Sequence, residues 1–208
     1  MTLVELVVTT AILGVVLTAV MSLLFTVQTA FTRQSNRSET NDQVRLAIEQ
    51  LDREIRSGNL LYDPSTENDS LNGIFPGMAL RVYTQNNATT RAPGNRCVQW
   101  RILSGQLQTR SWSTEWRTDD IVEQWRIVAT GILNQTVSPQ VAGFALDPDP
   151  SKGGRTLIIT ILDNTNTSSN TTLGNTVKIQ ESVTGRNTSY GFPSSVCSDI
   201  PPYNWQPE

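Results

Sequence analysis

The chain has 208 residues, with 16 Lys and Arg against 19 Asp and Glu, two cysteines and no histidine. The net charge of −3 comes without a basic cluster, which argues against nucleic acid as a specific partner. A chain without histidine lacks the commonest general base, the commonest metal ligand and every histidine-dependent triad, so no enzymatic activity, cofactor or metal site is expected.

The first predicted element is an apolar helix. Residues 1–31 carry a single charged side chain, Glu5, and such a run exceeds the roughly 20 residues needed to cross a bilayer. A carboxylate there costs on the order of 2.5–3.5 kcal/mol near the centre of a membrane helix, so an ionisable group in that setting usually has a partner and a role. The predicted partner is an α-amino group at the start of the same kind of helix, which makes Met1 a mature N-terminus. The alternative is a polar residue near the end of a plain membrane anchor, with its carboxyl reaching the headgroups. Gly14 lies in mid-helix, where glycine costs about 1 kcal/mol relative to alanine. It reads either as a weak point where the helix unwinds on packing or as a small residue that permits close helix–helix contact.

The stretch Thr2-Leu3-Val4-Glu5-Leu6, followed by an apolar helix containing Gly14, resembles the mature N-terminus of a type IV pilin or pseudopilin. The resemblance implies that a prepilin peptidase cuts just before Met1, that the new amine is methylated, and that the helix becomes a filament core. It implies assembly roles for Thr2 and Glu5, with Glu5 neutralising the N-terminal amine of a neighbouring subunit. The implied partners are copies of the chain in a helical filament, other pilins, the inner-membrane assembly machinery, and the membrane before assembly. The implied location is the cell surface, with a cytoplasmic-membrane pool. Residue 1 is Met rather than the commoner Phe; a Met1 that begins translation makes the segment an ordinary signal anchor.

The helical pattern continues beyond residue 31. From Ser38 to Arg56 there is neither Gly nor Pro, and Val44, Ile48, Leu51 and Ile55 recur at helical spacing on one face. Asp42, Arg45, Glu49, Asp52, Arg53 and Arg56 fall mostly on the other. Ser57-Gly58-Asn59 is the expected stop, with Gly58 a left-handed cap. A helix over 2–56 would be about 80 Å long. Its first half is apolar all round; its second half offers one face to a sheet. Three segments are expected: 1–31 a transmembrane or filament-core helix, 32–58 the amphipathic part of that helix, and 59–208 a globular antiparallel β-sheet head.

Residues 59–77 read as loop, from their density of Pro, Gly, Asn and Asp. Strands are expected at Ala79–Thr84, at Cys97–Leu103 with Val98, Trp100 and Ile102 on one face, and at Gln106–Trp112 after a tight Ser104-Gly105 turn. Shorter candidates are Gln124–Ala129 and Val141–Leu146. Thr156–Leu162 is nearly all apolar and is the expected central strand. Val177–Val183 alternates in part, interrupted by Glu181, and residues 163–176 between the last two strands read as an exposed hairpin loop. A long helix followed by antiparallel strands is an α+β layout, and it resembles the pilin head. Leu51–Gly58, the strand pair around Ser104-Gly105 and the Thr156–Leu162 strand are similar, more weakly, to minor pilins of the W and J classes.

Among the remaining candidates, Cys97 and Cys197 pair in an extracytoplasmic domain or remain two buried thiols; pairing is favoured. Asp147, Asp149 and Ser151 space oxygen atoms as some calcium loops do, but Ile158 stands where the twelfth-position carboxylate belongs, so a turn is expected. Trp100 and Trp125 read as core or sheet-face residues rather than sugar platforms. The Asn-x-Ser/Thr triplets at Asn87, Asn134 and Asn187 carry little weight in a chain this rich in Asn and Thr. The resulting expectation is a structural subunit of a type IV pilus-like filament. The rival readings are a minor pilin or pseudopilin at the tip of a pilus, competence or secretion filament, and, of another class, a membrane-anchored enzyme or an adhesin that never polymerises.

Overall fold

The computed structural model describes residues 2–84, 95–164, 176–185, 193–202 and 205. The fold is α+β: a long N-terminal helix and two antiparallel sheets, of five and three strands. The chain falls into two compact units, Met1–Glu39 and Thr40–Glu208.

Helix α1 spans Leu3–Ser57 without interruption. One glycine and no proline occur within it, so nothing removes a backbone donor along its length. In the first unit, Leu3–Thr32 is long and apolar enough to cross a membrane, and every residue of that stretch is exposed. In the second unit the expected face is the buried one: Val44, Ala47, Ile48, Leu51 and Ile55 all lie in the core.

The helix ends where expected, for a different reason. Gly58 is not left-handed; it opens strand β1 (Gly58–Leu61), whose last three residues fall in the stretch 59–77 that the sequence marks as loop. A Cβ at Gly58 would lie 2.5 Å from Val82 Cγ1 and 3.1 Å from the Glu54 carbonyl oxygen. Close approach to the neighbouring strand, not backbone conformation, therefore requires glycine here. A four-residue edge strand is too short to show the alternation by which the longer strands are recognised.

The five-stranded sheet runs in the order β1, β2 (Ala79–Thr84), β3 (Arg96–Leu103), β4 (Gln106–Ser113) and β5 (Arg126–Thr130). Ser104 and Gly105 join β3 to β4 with φ of 51° and 76°, the paired positive values that a two-residue hairpin turn of matching twist requires. A single turn, α2 (Trp116–Asp119), follows β4. The three-stranded sheet has β7 (Thr156–Asn164) between β6 (Phe144–Leu146) and β8 (Thr176–Thr184), so the most apolar strand is central as expected. Strands β5 and β6 begin two and three residues later than their sequence patterns suggest. The β7–β8 ladder runs from Thr156↔Thr184 to Asn164↔Thr176, and residues 165–175 of the expected hairpin loop lie outside the described residues.

Two hydrophobic clusters result. The larger joins the buried face of α1 to Leu80, Val82, Val98, Trp100, Ile102 and Leu107 of the first sheet and to Leu157, Ile159, Ile161 and Val183 of the second. The smaller lies on the opposite face of the five-stranded sheet, where Leu60, Tyr83, Cys97 and Trp112 meet Trp116 and Cys197. Strand β3 is thus buried on both faces from Arg96 to Ile102.

Candidate functional site

The N-terminal turn of α1 holds Thr2 and Glu5 together. The Thr2 backbone N–H donates to Glu5 Oε2 at 3.0 Å, and the Glu5 N–H donates to Thr2 Oγ1 at 3.4 Å. This reciprocal pair is a capping box: each side chain satisfies an N–H that the first turn leaves without a helical acceptor. A carboxylate at a helix N-terminus also lies at the positive end of the helix dipole. Among the described residues, Glu5 Oε1 accepts no hydrogen bond, so the cap uses one carboxylate oxygen. The Thr-x-x-Glu spacing that marks a capping box is present in the sequence, but the pilin resemblance assigns the pair to assembly and says nothing of the cap. Met1 lies outside the described residues.

Over Leu3–Thr32 the rest of the helix surface is mostly apolar, and its remaining hydroxyls are satisfied within the helix. The hydroxyls of Thr9, Thr10, Thr18, Ser22, Thr26, Thr29 and Thr32 each donate to a carbonyl three or four residues earlier. None of these hydroxyls needs water to complete its donor bond, which suits the stretch to lipid or to packed apolar helices. The helix is continuous through Gly14 in this single chain, and nothing lies within 4 Å of a Cβ built there. The expected weak point concerns packed helices.

Cys97 and Cys197 form a disulfide with a Cα–Cα separation of 5.8 Å. It joins the centre of the first sheet to the C-terminal segment across 100 positions of sequence, and both cysteines are buried. Pro201 and Pro202 follow on the sheet surface, where their carbonyls accept from Arg110.

The remaining candidates settle into structural positions. Asp149 caps a short 3-10 turn by accepting from Ser151 N, and Asp147 accepts from Asp149 N and from Lys152 Nζ at 2.6 Å. These bonds hold both carboxyls below their usual range, Asp147 chiefly through Lys152 and Asp149 chiefly through Ser151. The segment is the expected turn. Trp100 is fully buried, and its indole N–H donates to Glu54 Oε2 at 2.6 Å. Trp125 lies half-buried under the guanidinium groups of Arg101 and Arg110, at 3.7 and 4.5 Å. Asn134 is fully buried: its amide donates to Val141 O and Thr160 O and accepts from Leu162 N, so it takes a strand residue's place beside β7. Its nitrogen is therefore not an accessible glycan acceptor; Asn87 and Asn187 lie outside the described residues. Glu67 is buried against Arg81 at 2.6 Å, where burial pushes its carboxyl above the usual range and Arg81 opposes that rise.

No protein-family model matches the chain, and no curated protein matches it. The apolar helix and the antiparallel sheets are compatible with a pilin-like fold.

Proposed function

We propose that this chain is the structural subunit of an extracellular type IV pilus-like filament, polymerising through its N-terminal helix. The observation that carries this reading is the stretch Leu3–Thr32: its apolar side chains are all exposed, its hydroxyls are satisfied within the helix, and its one carboxylate is held at the end. Such a surface finds a low free energy only in lipid or among other apolar helices. A membrane serves the unassembled subunit, and copies of the same helix serve the filament. In the membrane, a subunit keeps its N-terminal amine near the headgroups; packing into a filament core takes that amine out of water. Glu5, capping its own helix through one oxygen, offers the second to the amine of a neighbour. Neutralisation is then a contribution to assembly rather than to folding of the head.

Removing one partner of such a buried pair typically costs about 3–5 kcal/mol. Glu5→Ala is expected to leave the head folded and the subunit membrane-inserted while sharply reducing its amount in sheared surface filaments relative to membranes. Normal incorporation of the variant would remove the main support for the proposal. Mass spectrometry of the filaments tests processing and methylation at Met1, and the subunit's abundance there separates a main subunit from one at the tip.

A further inference from the structure

The face of the five-stranded sheet opposite α1 is covered by residues 193–202 and Trp205, which are turn and irregular backbone. Its described backbone–backbone bonds stay within the segment, at Val196, Ser198 and Trp205. To the rest of the head it is joined by the disulfide, by the Cys197 N–H donating to Tyr62 Oη at 3.1 Å, by the Arg117–Asp199 ion pair, and by side chains that donate to its carbonyls. Tyr62 donates to Ser194 O at 2.9 Å, Arg81 to Cys197 O, and Trp116 Nε1 to Asp199 O at 3.1 Å. Arg110 donates to Pro201 O at 2.8 Å and to Pro202 O at 2.9 Å, and Gln124 to Trp205 O at 3.0 Å.

The two arginines are held in place by groups other than the tail. Arg110 is buried, with Nε and Nη2 on Gln99 Oε1 at 3.2 and 3.1 Å. Arg81 is fixed by Glu67 and stacks 4.2 Å from the Tyr62 ring. Donors fixed in advance lose little freedom when a carbonyl arrives, which is the condition for tight recognition. Pro201 and Pro202 suit them: a proline has no N–H and a fixed φ, so the pair presents two successive carbonyls in an extended conformation with no donor of their own to satisfy. Between these polar contacts, Val196, Cys197 and Ile200 pack against the apolar cluster on this face.

We propose that this face is a peptide-binding groove that recognises a proline-containing, turn-rich segment by its carbonyls, and that residues 194–202 with Trp205 are its tethered ligand. The chain itself makes the binding intramolecular, at an effective concentration in the millimolar range, and the Cys97–Cys197 bridge tightens the tether. The groove itself holds the tail, so opening the bridge loosens the tail without releasing it. The proposal is independent of polymerisation, and its test reads the head alone.

The test is hydrogen exchange on the full chain in detergent, following the amides of Val196, Ser198 and Trp205, with β7 amides as the folding control. In the double variant Cys97→Ser/Cys197→Ser the tail amides keep at least about tenfold protection over an unstructured peptide, and adding Arg110→Gln removes it. A synthetic peptide of residues 193–205 carrying Cys197→Ser, added at millimolar concentration to the double variant, brings tail exchange to within about twofold of the free rate by occupying the groove. Free-peptide exchange in the double variant with β7 still protected would show that the disulfide alone holds the tail, overturning the proposal. So would a peptide without effect. If the double variant loses β7 protection, Arg110→Gln with the bridge intact decides: tail exchange rises at least tenfold, or the groove does not exist.

Discussion

Residues 3–32 and residues 44–55 belong to one helix and both carry leucine, isoleucine and valine, yet their side chains meet opposite fates. In the first stretch Leu13, Leu17 and Leu24 are more than half exposed; in the second Leu51 is completely buried. The difference lies in arrangement rather than in amount of apolar surface. Around Leu17 apolar residues occupy every direction, so no single partner can cover the helix. Around Leu51 they occupy one face, with Asp52, Arg53 and Arg56 toward water, and a sheet suffices. A pair of its glutamates, Glu5 and Glu54, makes the same contrast. Glu5 is exposed and completes the first turn; Glu54 is buried and receives the Trp100 indole and the Gln50 amide. One helix thus carries a region covered by its own chain and a region whose apolar side chains that chain leaves exposed.

If that division is real, damage to the head should show in unfolding and damage to the first stretch in assembly. The largest effect is expected at the bridge. Cys97→Ser opens a loop of 100 positions, worth about 4–5 kcal/mol by chain entropy, and should lower the denaturant midpoint of the head accordingly. Leu51→Ala comes next, at roughly 2–5 kcal/mol, because the site is fully packed. Leu17→Ala on the same helix should move the head's stability by less than about 0.5 kcal/mol. Equal losses from the two leucine substitutions would break the comparison. Glu54→Ala strands the buried Trp100 N–H and is expected to cost about 1–3 kcal/mol in the same unfolding measurement.

The sequence makes the helix, its two regimes and the central strand β7 readable because each rests on many residues repeating one period. Val44, Ile48, Leu51 and Ile55 announce a buried face wherever the sheet lies. Features set by a few residues far apart were not readable. Gly58 looks like a helix cap until Val82 is known to sit against it. On β3, Val98, Trp100 and Ile102 mark one buried face, while Cys97, Gln99 and Arg101 read as the solvent face. That face is buried too, because Arg110 and Arg81 gather the tail over it from about 90 and 116 positions away. Arginine and glutamine carry no periodic signal for such a role; the pairing favoured for Cys97 and Cys197 is what ties that end of the chain to β3 in the sequence. At the other end, the Thr2–Glu5 capping box was visible as a spacing but shares its residues with the pilin-like motif.

The smallest expected effect sharpens the account of the tail. Arg117 and Asp199 form an ion pair on the surface, and the Arg117 hydrogen bond holds the Asp199 carboxyl below its usual range. A carboxyl whose value is lowered on folding stabilises the folded form above its unfolded value, about 3.9, and loses that contribution as pH falls through the lower folded value. From pH 7 to 5 the tail should therefore be insensitive to this group; below about 4 its hold near Asp199 should weaken. Arg117 stays charged throughout, so the change follows the carboxyl alone. Both partners are largely exposed, and solvent screening keeps the effect on global stability small. Asp147 and Asp149 are lowered as well, chiefly by Lys152 and Ser151, so a global melting curve mixes the three carboxyls. The Trp116 indole, bonded to the Asp199 carbonyl, is a local probe. Its N–H resonance in an acid titration should shift below pH 4 in the wild type and stay flat in Asp199→Asn. A shift that persists in the variant would place the acid-sensitive contact elsewhere on the tail.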